Sequence, residues 1–238
     1  MIVSKSIVYY LMSVLVFSNP GIIAFAAESV KIDVSYTLDA EKEKIIRDLG
    51  ALPVHQAFKR LKRSDILSNE KFLNKAVFYA FQNRRSTAVA FALNAMQQQL
   101  YSYTADGRPI NRGVNVYIAG KVFAMFPGES ISPLVRQYQR GDAITRANII
   151  RASGAIADHP RIGQLLITAL NDKAFYEREE GFESVDMPMR VCDHAYNQIV
   201  LHYQIKSVLR TISPVQRVET RNYHIDILKN ILKERDLK

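Results

Sequence analysis

One apolar spacing recurs along this chain and constrains its fold more than any other feature. Hydrophobic or small residues stand at positions i, i+3 and i+7 in four segments, a spacing that puts them on one face of a helix. The four sets are Leu73, Ala76 and Ala80; Ala119, Val122 and Phe126; Ile149, Ala152 and Ile156; and Cys192, Ala195 and Ile199. A single helical hairpin cannot bury such a stripe, so stacking of successive hairpins is expected.

The stretch GDAITRANIIRASGAIADHPRIGQLLITALND, residues 141–172, indicates how one hairpin is built. Asp142 is placed to cap a first helix, because its side chain can accept a hydrogen bond from a first-turn amide. His159 and Pro160 interrupt the pattern, and Pro160 opens a second helix that ends near Leu170. The stretch therefore predicts a structural unit of two helices rather than a site of chemistry.

Residues 141–172 and the segment VDMPMRVCDHAYNQIV, residues 185–200, resemble the units of HEAT-repeat proteins. In that family an Asp often precedes the first helix of a unit, an Arg follows within its first turns, and alanines line the packing face. The matching positions here are Asp142 with Arg146, and Asp186 with Arg190. The resemblance covers residues 115–203 best, residues 71–100 weakly and the two ends poorly.

This resemblance implies a short right-handed α-solenoid in an exported bacterial-type member of the family, a curved stack of antiparallel helix pairs that usually binds other proteins. In such a stack Asp142 and Asp186 cap helices, while Arg146 and Arg190 bridge to acidic or carbonyl groups of adjacent units. An all-α bundle without repeats is the alternative fold. Helices are predicted at 39–49, 53–62, 70–83, 87–99, 114–126, 130–140, 142–157, 160–170, 187–203 and 214–235.

Local residue chemistry adds detail to this assignment. Ser130 is predicted to cap the helix at 130–140, with Pro133 in its first turn, where the missing N–H of proline is tolerated. The helix at 214–235 is predicted to cap a single helical-repeat domain that spans residues 39–238. Residues 27–38 are predicted to form an extended lead-in, either a short strand or an arm.

The first 26 residues differ from the rest of the chain. Lys5 is the only charged residue among them, an apolar run broken by one serine occupies residues 7–17, and small residues flank Phe25. This layout predicts a secretory signal peptide at residues 1–26 and a mature protein that is periplasmic or secreted. An uncleaved N-terminal anchor is the alternative. No later segment predicts a membrane span.

The charge balance of the chain bears on its partners. The formal net charge is +9, from 32 Lys and Arg against 23 Asp and Glu, and KRLKR at residues 59–63 is the densest basic cluster. Outside the cytoplasm such a surface favours an acidic protein, an anionic lipid or an acidic glycan, with plain solubility as the alternative explanation. We do not expect a nucleic-acid partner, because an exported protein rarely meets one.

No motif in the sequence predicts a cofactor or a metal. The five histidines form no HExxH pattern, and neither GxxxxGK[ST] nor GxGxxG occurs. His194 and His202 are eight residues apart on one helix, about 12 Å along its axis, which is too far for one metal. A secreted all-α hydrolase or lyase is the alternative function, with His159 or His194 beside Asp158 or Asp193.

The two most loop-like stretches, residues 100–113 and 173–186, are predicted to carry partner-binding residues. Insertions in solenoids gather on one face, and aromatic and Arg side chains dominate binding hot spots. The residues concerned are Tyr101, Tyr103, Arg108, Phe175, Tyr176 and Phe182. The sequence thus predicts an exported, non-enzymatic scaffold or adaptor for a protein partner. A basic module that binds anionic lipid or glycan is a third reading, beside the hydrolase or lyase.

Overall fold

Helices make up the regular structure of the residues that the computed structural model describes, which are 34–97, 113–175, 189–203, 209–213 and 216–234. The α-helices are α1 (Ala40–Ala51), α2 (Val54–Arg60), α3 (Ser64–Leu67), α4 (Glu70–Phe81), α5 (Arg85–Gln97), α6 (Val114–Met125), α7 (Pro127–Arg140), α8 (Ala143–Ser153), α9 (Pro160–Ala169), α10 (Val191–His202) and α11 (Val218–Glu234). A 3₁₀ turn, Gly154–Ile156, continues α8. The predicted all-α class is confirmed for these residues.

The predicted N-terminal segments lie mostly outside the described residues. This holds for the signal peptide at 1–26 and for residues 27–33 of the lead-in. Residues 34–38 of the lead-in are described and contain no strand. Within the described ranges, no helix is both long enough and apolar enough to cross a membrane.

Capping side chains and prolines set the beginnings of several helices where the sequence predicts them. The Asp39 and Asp142 carboxylates accept hydrogen bonds from the amides of Lys42 and Thr145 at 2.9 and 2.8 Å, which caps α1 and α8. Pro160 occupies the first position of α9, where no intrahelical N–H bond is lost.

Helix α7 begins earlier than the sequence predicts, so the prediction that Ser130 caps it is wrong. The helix starts at Pro127, directly after α6, and Ser130 lies inside it, fully buried. The Ser130 hydroxyl donates to the Phe126 carbonyl at 2.7 Å instead of accepting a first-turn amide. Pro133 therefore lies in the helix interior, where it removes the backbone bond to the Glu129 carbonyl.

Helices α10 and α11 begin later than the sequence predicts. The helix predicted at 187–203 begins at Val191, and the one predicted at 214–235 begins at Val218. Arg190 is the N-cap of α10 rather than a residue of its first turns. The reason is that the Asp193 carboxylate accepts the Arg190 backbone N–H at 2.9 Å, as in a capping box.

Six helices form a first layer in which neighbours follow chain order. Helix α1 packs on α4, α4 on α6, α6 on α8, α8 on α10, and α10 on α11. Contacts between α4 and α6 advance in the same direction on both helices, from Glu70 with Lys121 to Phe78 with Phe126. Contacts of α1 with α4 and of α10 with α11 advance in the same way. The helices of these three pairs therefore run parallel.

Four helices form a second layer, in which α2 contacts α5, α5 contacts α7, and α7 contacts α9. Helix α5 also packs against α6 and α8 of the first layer. The side-chain amides of Asn115 and Asn148 donate to the carbonyl oxygens of Ala95 and Met96 at 3.0 and 2.8 Å. These bonds satisfy carbonyls in the last turn of α5 that have no helical partner, and they join the two layers.

The hydrophobic core is continuous between the layers. Every side chain of the recurring i, i+3, i+7 spacing belongs to it, as the spacing predicts. Burying a side chain such as Leu73 or Ile149 contributes about 1.5–3 kcal/mol relative to leaving it exposed. Cys192, also in this set, is a free thiol whose pKa burial raises to about 11.

Candidate functional site

A groove with a volume of about 330 Å³ crosses the first layer between α6, α8 and α10. Three small residues of α6, α8 and the 3₁₀ turn line it, namely Gly120, Ala152 and Ala155. Its polar lining groups are Tyr117, Lys121, Arg151 and Gln198. We call it the Arg151 groove. Its volume lies at the lower end of the range found for small-ligand pockets.

Arg151 reaches the groove because the start of α6 leaves room for its guanidinium. Gly113 precedes α6 with a φ of 72°, a left-handed conformation that favours glycine. A Cβ atom at this position would lie 2.6 Å from Nη2 of Arg151. Nη1 of Arg151 donates to Oδ1 of Asn148 at 3.3 Å, which holds the side chain against α8. Gly113 therefore allows the left-handed turn before α6 and also leaves room for the Arg151 guanidinium.

Gln198 lines the opposite side of the groove, on α10. A Cβ atom at Gly154 would overlap Oε1 of Gln198, so the 3₁₀ turn needs a glycine for this side chain to lie across it. His194 stands one turn earlier on the same face of α10 and is 9% exposed. Burial, together with the positive charge of Arg151, lowers the pKa of His194 to about 3. The imidazole is therefore neutral near pH 7.

Lys121 and Tyr117 line the groove from α6. The Lys121 ammonium lies 5.4 Å from the centre of the Tyr117 ring and 2.5 Å from Oε1 of Glu70 on α4. The bond from Lys121 holds the pKa of Glu70 below its usual value. Tyr117 is 45% exposed. This wall therefore combines an accessible aromatic ring with a cation that is already paired.

Exposed large apolar side chains of the described helices are confined to the first layer. They are Tyr79 on α4, Tyr117 on α6, Leu201 on α10 and Tyr223 on α11. The helices of the second layer carry none within the described ranges. Because the first layer buries its inner face against the second, these side chains mark its outer face and rims.

Phe175 is the one predicted partner-binding residue that falls within the described ranges. It is exposed, and the Arg190 guanidinium lies 6.0 Å from the centre of its ring. The described lining of the Arg151 groove does not include Phe175. The other predicted residues, Tyr101, Tyr103, Arg108, Tyr176 and Phe182, lie outside the described part of the chain.

Arg146 makes its hydrogen bonds within its own hairpin rather than to an adjacent one. Its guanidinium donates to the Asp172 carboxylate at 2.6 and 3.3 Å and to the Gly141 carbonyl at 2.8 Å. The link to the preceding hairpin comes from Tyr138 of α7, whose hydroxyl donates to Asp172 at 3.1 Å. Burial and the Asp172 charge raise the pKa of Tyr138.

Arg190 takes part in a buried charge cluster that joins α10 to α11. Its Nη2 donates to Asp193 at 2.8 Å, and its Nη1 donates to Oδ1 of Asn222 at 2.7 Å. Arg221 of α11 donates to the same Asp193 carboxylate at 2.6 Å. Arg190 therefore bonds to a side chain of α11, while Asp186, which the sequence analysis pairs with it, lies outside the described residues.

The histidine–aspartate pair seen in the structure is not one that the hydrolase or lyase hypothesis names. Asp158 lies 2.7 Å from Nε2 of His202, and the ring of Tyr203 packs edge-on against that imidazole. Asp193 accepts from arginines, as described above. Among the residues that the structure describes, no three His, Cys, Asp or Glu side chains group closely enough to hold a metal ion.

Comparison of the chain with models of known protein families, with curated proteins and with solved structures gives no match. Function is therefore inferred from the fold and from the groove.

Sequence reasoning did not identify the groove, because its residues come from three helices that are far apart in the chain. Among its lining residues, Tyr117 gives the one local indication. Tyr117 lies on a predicted helix but outside the recurring apolar spacing, so a helix buried only along that stripe leaves it exposed.

Proposed function

We propose that this protein is an exported, non-enzymatic interaction protein whose first layer binds a protein partner. One observation carries the proposal: the exposed large apolar side chains of the described helices all lie on the first layer. Tyr79 and Tyr117 each have a lysine ammonium within 6 Å of the ring centre, from Lys75 and Lys121. Tyr is one of the side chains enriched in partner-binding hot spots.

The proposed architecture is a short right-handed α-solenoid of HEAT-like hairpins. The chain-order packing of the first layer, with parallel helices in three neighbouring pairs, and the similar order of the second layer support it. Helix α5 departs from a strict neighbour-only stack, since it contacts α8 across one hairpin. The hairpins in the middle of the array are therefore joined by this contact in addition to the contacts between neighbours.

Export is proposed from the layout of residues 1–26, with cleavage after Ala26. Its test is N-terminal sequencing of the protein recovered from periplasm and from culture medium. A mature chain that begins at Ala27 is the expected result. A chain that keeps its first residues in the cell would contradict export.

Site-specific photo-crosslinking tests the binding proposal directly. A photoreactive phenylalanine analogue replaces Tyr117 on the first layer and, as the matched control, exposed Gln164 on α9 of the second layer. We expect one stoichiometric protein adduct in envelope extract from position 117 and none from position 164. No stoichiometric adduct, or equal adducts from both positions, would contradict the proposal.

A further inference from the structure

We infer that the outer face of the second layer binds the surface of a membrane that contains anionic phospholipid. This face consists of the exposed sides of α2, α5, α7 and α9. The inference goes beyond the proposed function, because it assigns a separate partner to the layer that does not carry the proposed protein-binding side chains. Two observations carry it: the distribution of charge between the layers, and a groove between α7 and α9.

Positive charge is concentrated on the second layer. Its four helices carry six Lys and Arg residues and one carboxylate, that of Glu129. The six helices of the first layer carry eleven Lys and Arg against eight Asp and Glu, which is closer to balance. Recognition of anionic lipid by charge typically uses clusters of four to eight basic residues, and six lies in that range. The second-layer cations are Lys59, Arg60, Arg85, Arg136, Arg140 and Arg161.

These cations are mostly not compensated by carboxylates within the described ranges. The one carboxylate of these helices, that of Glu129, lies 3.8 Å from the Arg85 guanidinium. Lys59, Arg136 and Arg140 are exposed, and none of them forms an ion pair with a described residue. Their charges are therefore available to an anionic surface outside the chain.

Helix α7 shows this arrangement most clearly. Arg136 and Arg140 are four residues apart, so their side chains lie on the same side of the helix. Like charges at this spacing destabilise a helix slightly, so the pair contributes no stability to the fold. The helix and the turns on both sides of it lie within residues 113–175, which are described without a gap. An anionic surface would offset the repulsion between the two guanidiniums.

A groove between α7 and α9, with a volume of about 320 Å³, offers a contact for the apolar part of a lipid. Val135, Tyr138 and Leu165 give it apolar surface, and Arg161 is the charged residue of its described lining. Nη1 of Arg161 donates to Oγ of Ser132 at 3.0 Å, and within the described ranges no carboxylate pairs with this guanidinium. An apolar groove beside a cation matches the junction between the phosphate and the acyl chains of a phospholipid.

An acidic protein and an acidic glycan are the less favoured partners for this face. The helices of the second layer carry no exposed large apolar side chain within the described ranges, whereas aromatic anchors dominate protein interfaces. A glycan has no acyl chain to place in the apolar groove. Cations spread over four neighbouring helices instead suit a laterally continuous anionic surface.

Sedimentation with lipid vesicles tests the inference on the full chain as it is recovered from expressing cells. Vesicles of phosphatidylglycerol mixed with phosphatidylcholine present the anionic surface. Vesicles of phosphatidylcholine alone account for any binding through the apolar run near the N-terminus. We expect binding to the anionic vesicles to be at least about tenfold tighter, and to weaken as the salt concentration rises, because salt screens exposed charges.

A triple variant locates the surface on the second layer. It combines Arg136→Gln, Arg140→Gln and Arg161→Gln, all at exposed positions. Each basic residue near an anionic surface changes the affinity about fivefold, so we expect the three changes together to weaken binding about 100-fold. Circular dichroism checks its folding. If it does not fold, Gln164→Glu decides, because it adds a carboxylate at the exposed rim of the same groove and should weaken binding about fivefold.

The matched control variant removes the same number of charges from the first layer. It combines Lys44→Gln, Arg47→Gln and Lys233→Gln, at exposed positions of α1 and α11. Because these cations do not lie on second-layer helices, we expect the affinity for anionic vesicles to change by less than about fivefold.

Several outcomes would overturn the inference. These are equal binding to anionic and neutral vesicles, equal losses in the two triple variants, or release by inorganic phosphate at an ionic strength at which sodium chloride releases nothing. Binding to heparin without binding to vesicles would assign the face to an acidic glycan, and a protein adduct at position 164 would assign it to a protein. A protein adduct at position 117 without vesicle binding would leave the proposed function standing and remove only the membrane.

Discussion

Asp193 joins α10 to α11 through two buried arginines. Its carboxylate is fully buried and accepts hydrogen bonds from Arg190 and Arg221, which are 2% and 0% exposed. Charge-assisted bonds of this kind are strong, but removing one partner leaves the others without compensation in a site of low dielectric. The cluster therefore makes the attachment of the last helix depend on a single side chain.

Replacing this side chain tests that dependence. We expect Asp193→Asn to lower the free energy of unfolding by about 3–5 kcal/mol, because two buried guanidiniums lose their anion. Asp158→Asn is the matched control: its side chain is 42% exposed beside His202, and a change below about 1 kcal/mol is expected. Urea denaturation followed by circular dichroism measures both. Equal effects of the two substitutions would show that the buried cluster contributes no more to stability than the exposed pair.

His194 gives the fold a pH dependence whose direction follows from its buried position. Its pKa is about 3 in the folded chain, against the usual 6.5 in the unfolded chain. Between these values the unfolded chain binds a proton that the folded chain does not, so stability falls as the pH decreases from about 6.5. No loss is expected from this group above that pH.

A non-titrating substitution isolates this contribution. Between pH 7 and pH 5 the wild type should lose about 1–2 kcal/mol more stability than His194→Gln, since one proton is taken up on unfolding. The measurement is urea denaturation at both pH values, and each protein serves as its own reference at pH 7. Parallel pH profiles would mean that His194 is protonated in the folded protein.

At the level of helices, the sequence predicted those elements whose ends are set by one residue. Asp39, Asp142 and Pro160 begin helices in the structure because a capping carboxylate or a first-position proline acts locally. The sequence does not predict the start of α7, because a proline such as Pro127 can follow one helix or open the next, and here it opens α7. Ser130 and Pro133 have the residue types of a helix start, but Ser130 is buried inside α7 and its hydroxyl donates to the Phe126 carbonyl.

Pro133 distinguishes the two positions of the α7 start. In a helix that begins at Pro127, Pro133→Ala restores the N–H bond to the Glu129 carbonyl and should stabilise the protein by about 1–3 kcal/mol. Pro127→Ala is the control: no bond is regained at a first helical position, so a loss of up to about 1 kcal/mol is expected. Thermal unfolding measures both changes. A neutral or destabilising Pro133→Ala would favour a helix that starts near Ser130.

At the scale of the whole molecule, the recurring spacing predicts the buried core but not the Arg151 groove. The stripe residues are buried in the structure, because period and polarity within one helix determine which face turns inward. The Arg151 groove depends on how three helices approach one another, and on Gly113 and Gly154 leaving room for side chains from other helices. Contacts between segments that are far apart in the chain produce no periodic pattern in a single sequence.

The order of the first layer predicts how a local defect spreads through the molecule. Leu49 of α1 is fully buried at one end, and Ile149 of α8 is fully buried near the middle. In a neighbour-coupled array, Leu49→Ala should speed amide hydrogen exchange in α1 and α4 by about 30-fold or more, from a loss of 2–5 kcal/mol, and leave α10 and α11 unchanged.

The central substitution should behave differently in the same measurement. Ile149→Ala weakens the contacts of α8 with both α6 and α10, so exchange should rise on both sides of it. A bundle around one shared core unfolds as a unit, and either substitution would then raise exchange by a similar factor in every helix. The profile of Leu49→Ala thus separates a stack of hairpins from a helical bundle, because only a stack keeps the protection of α10 and α11 while its other end opens.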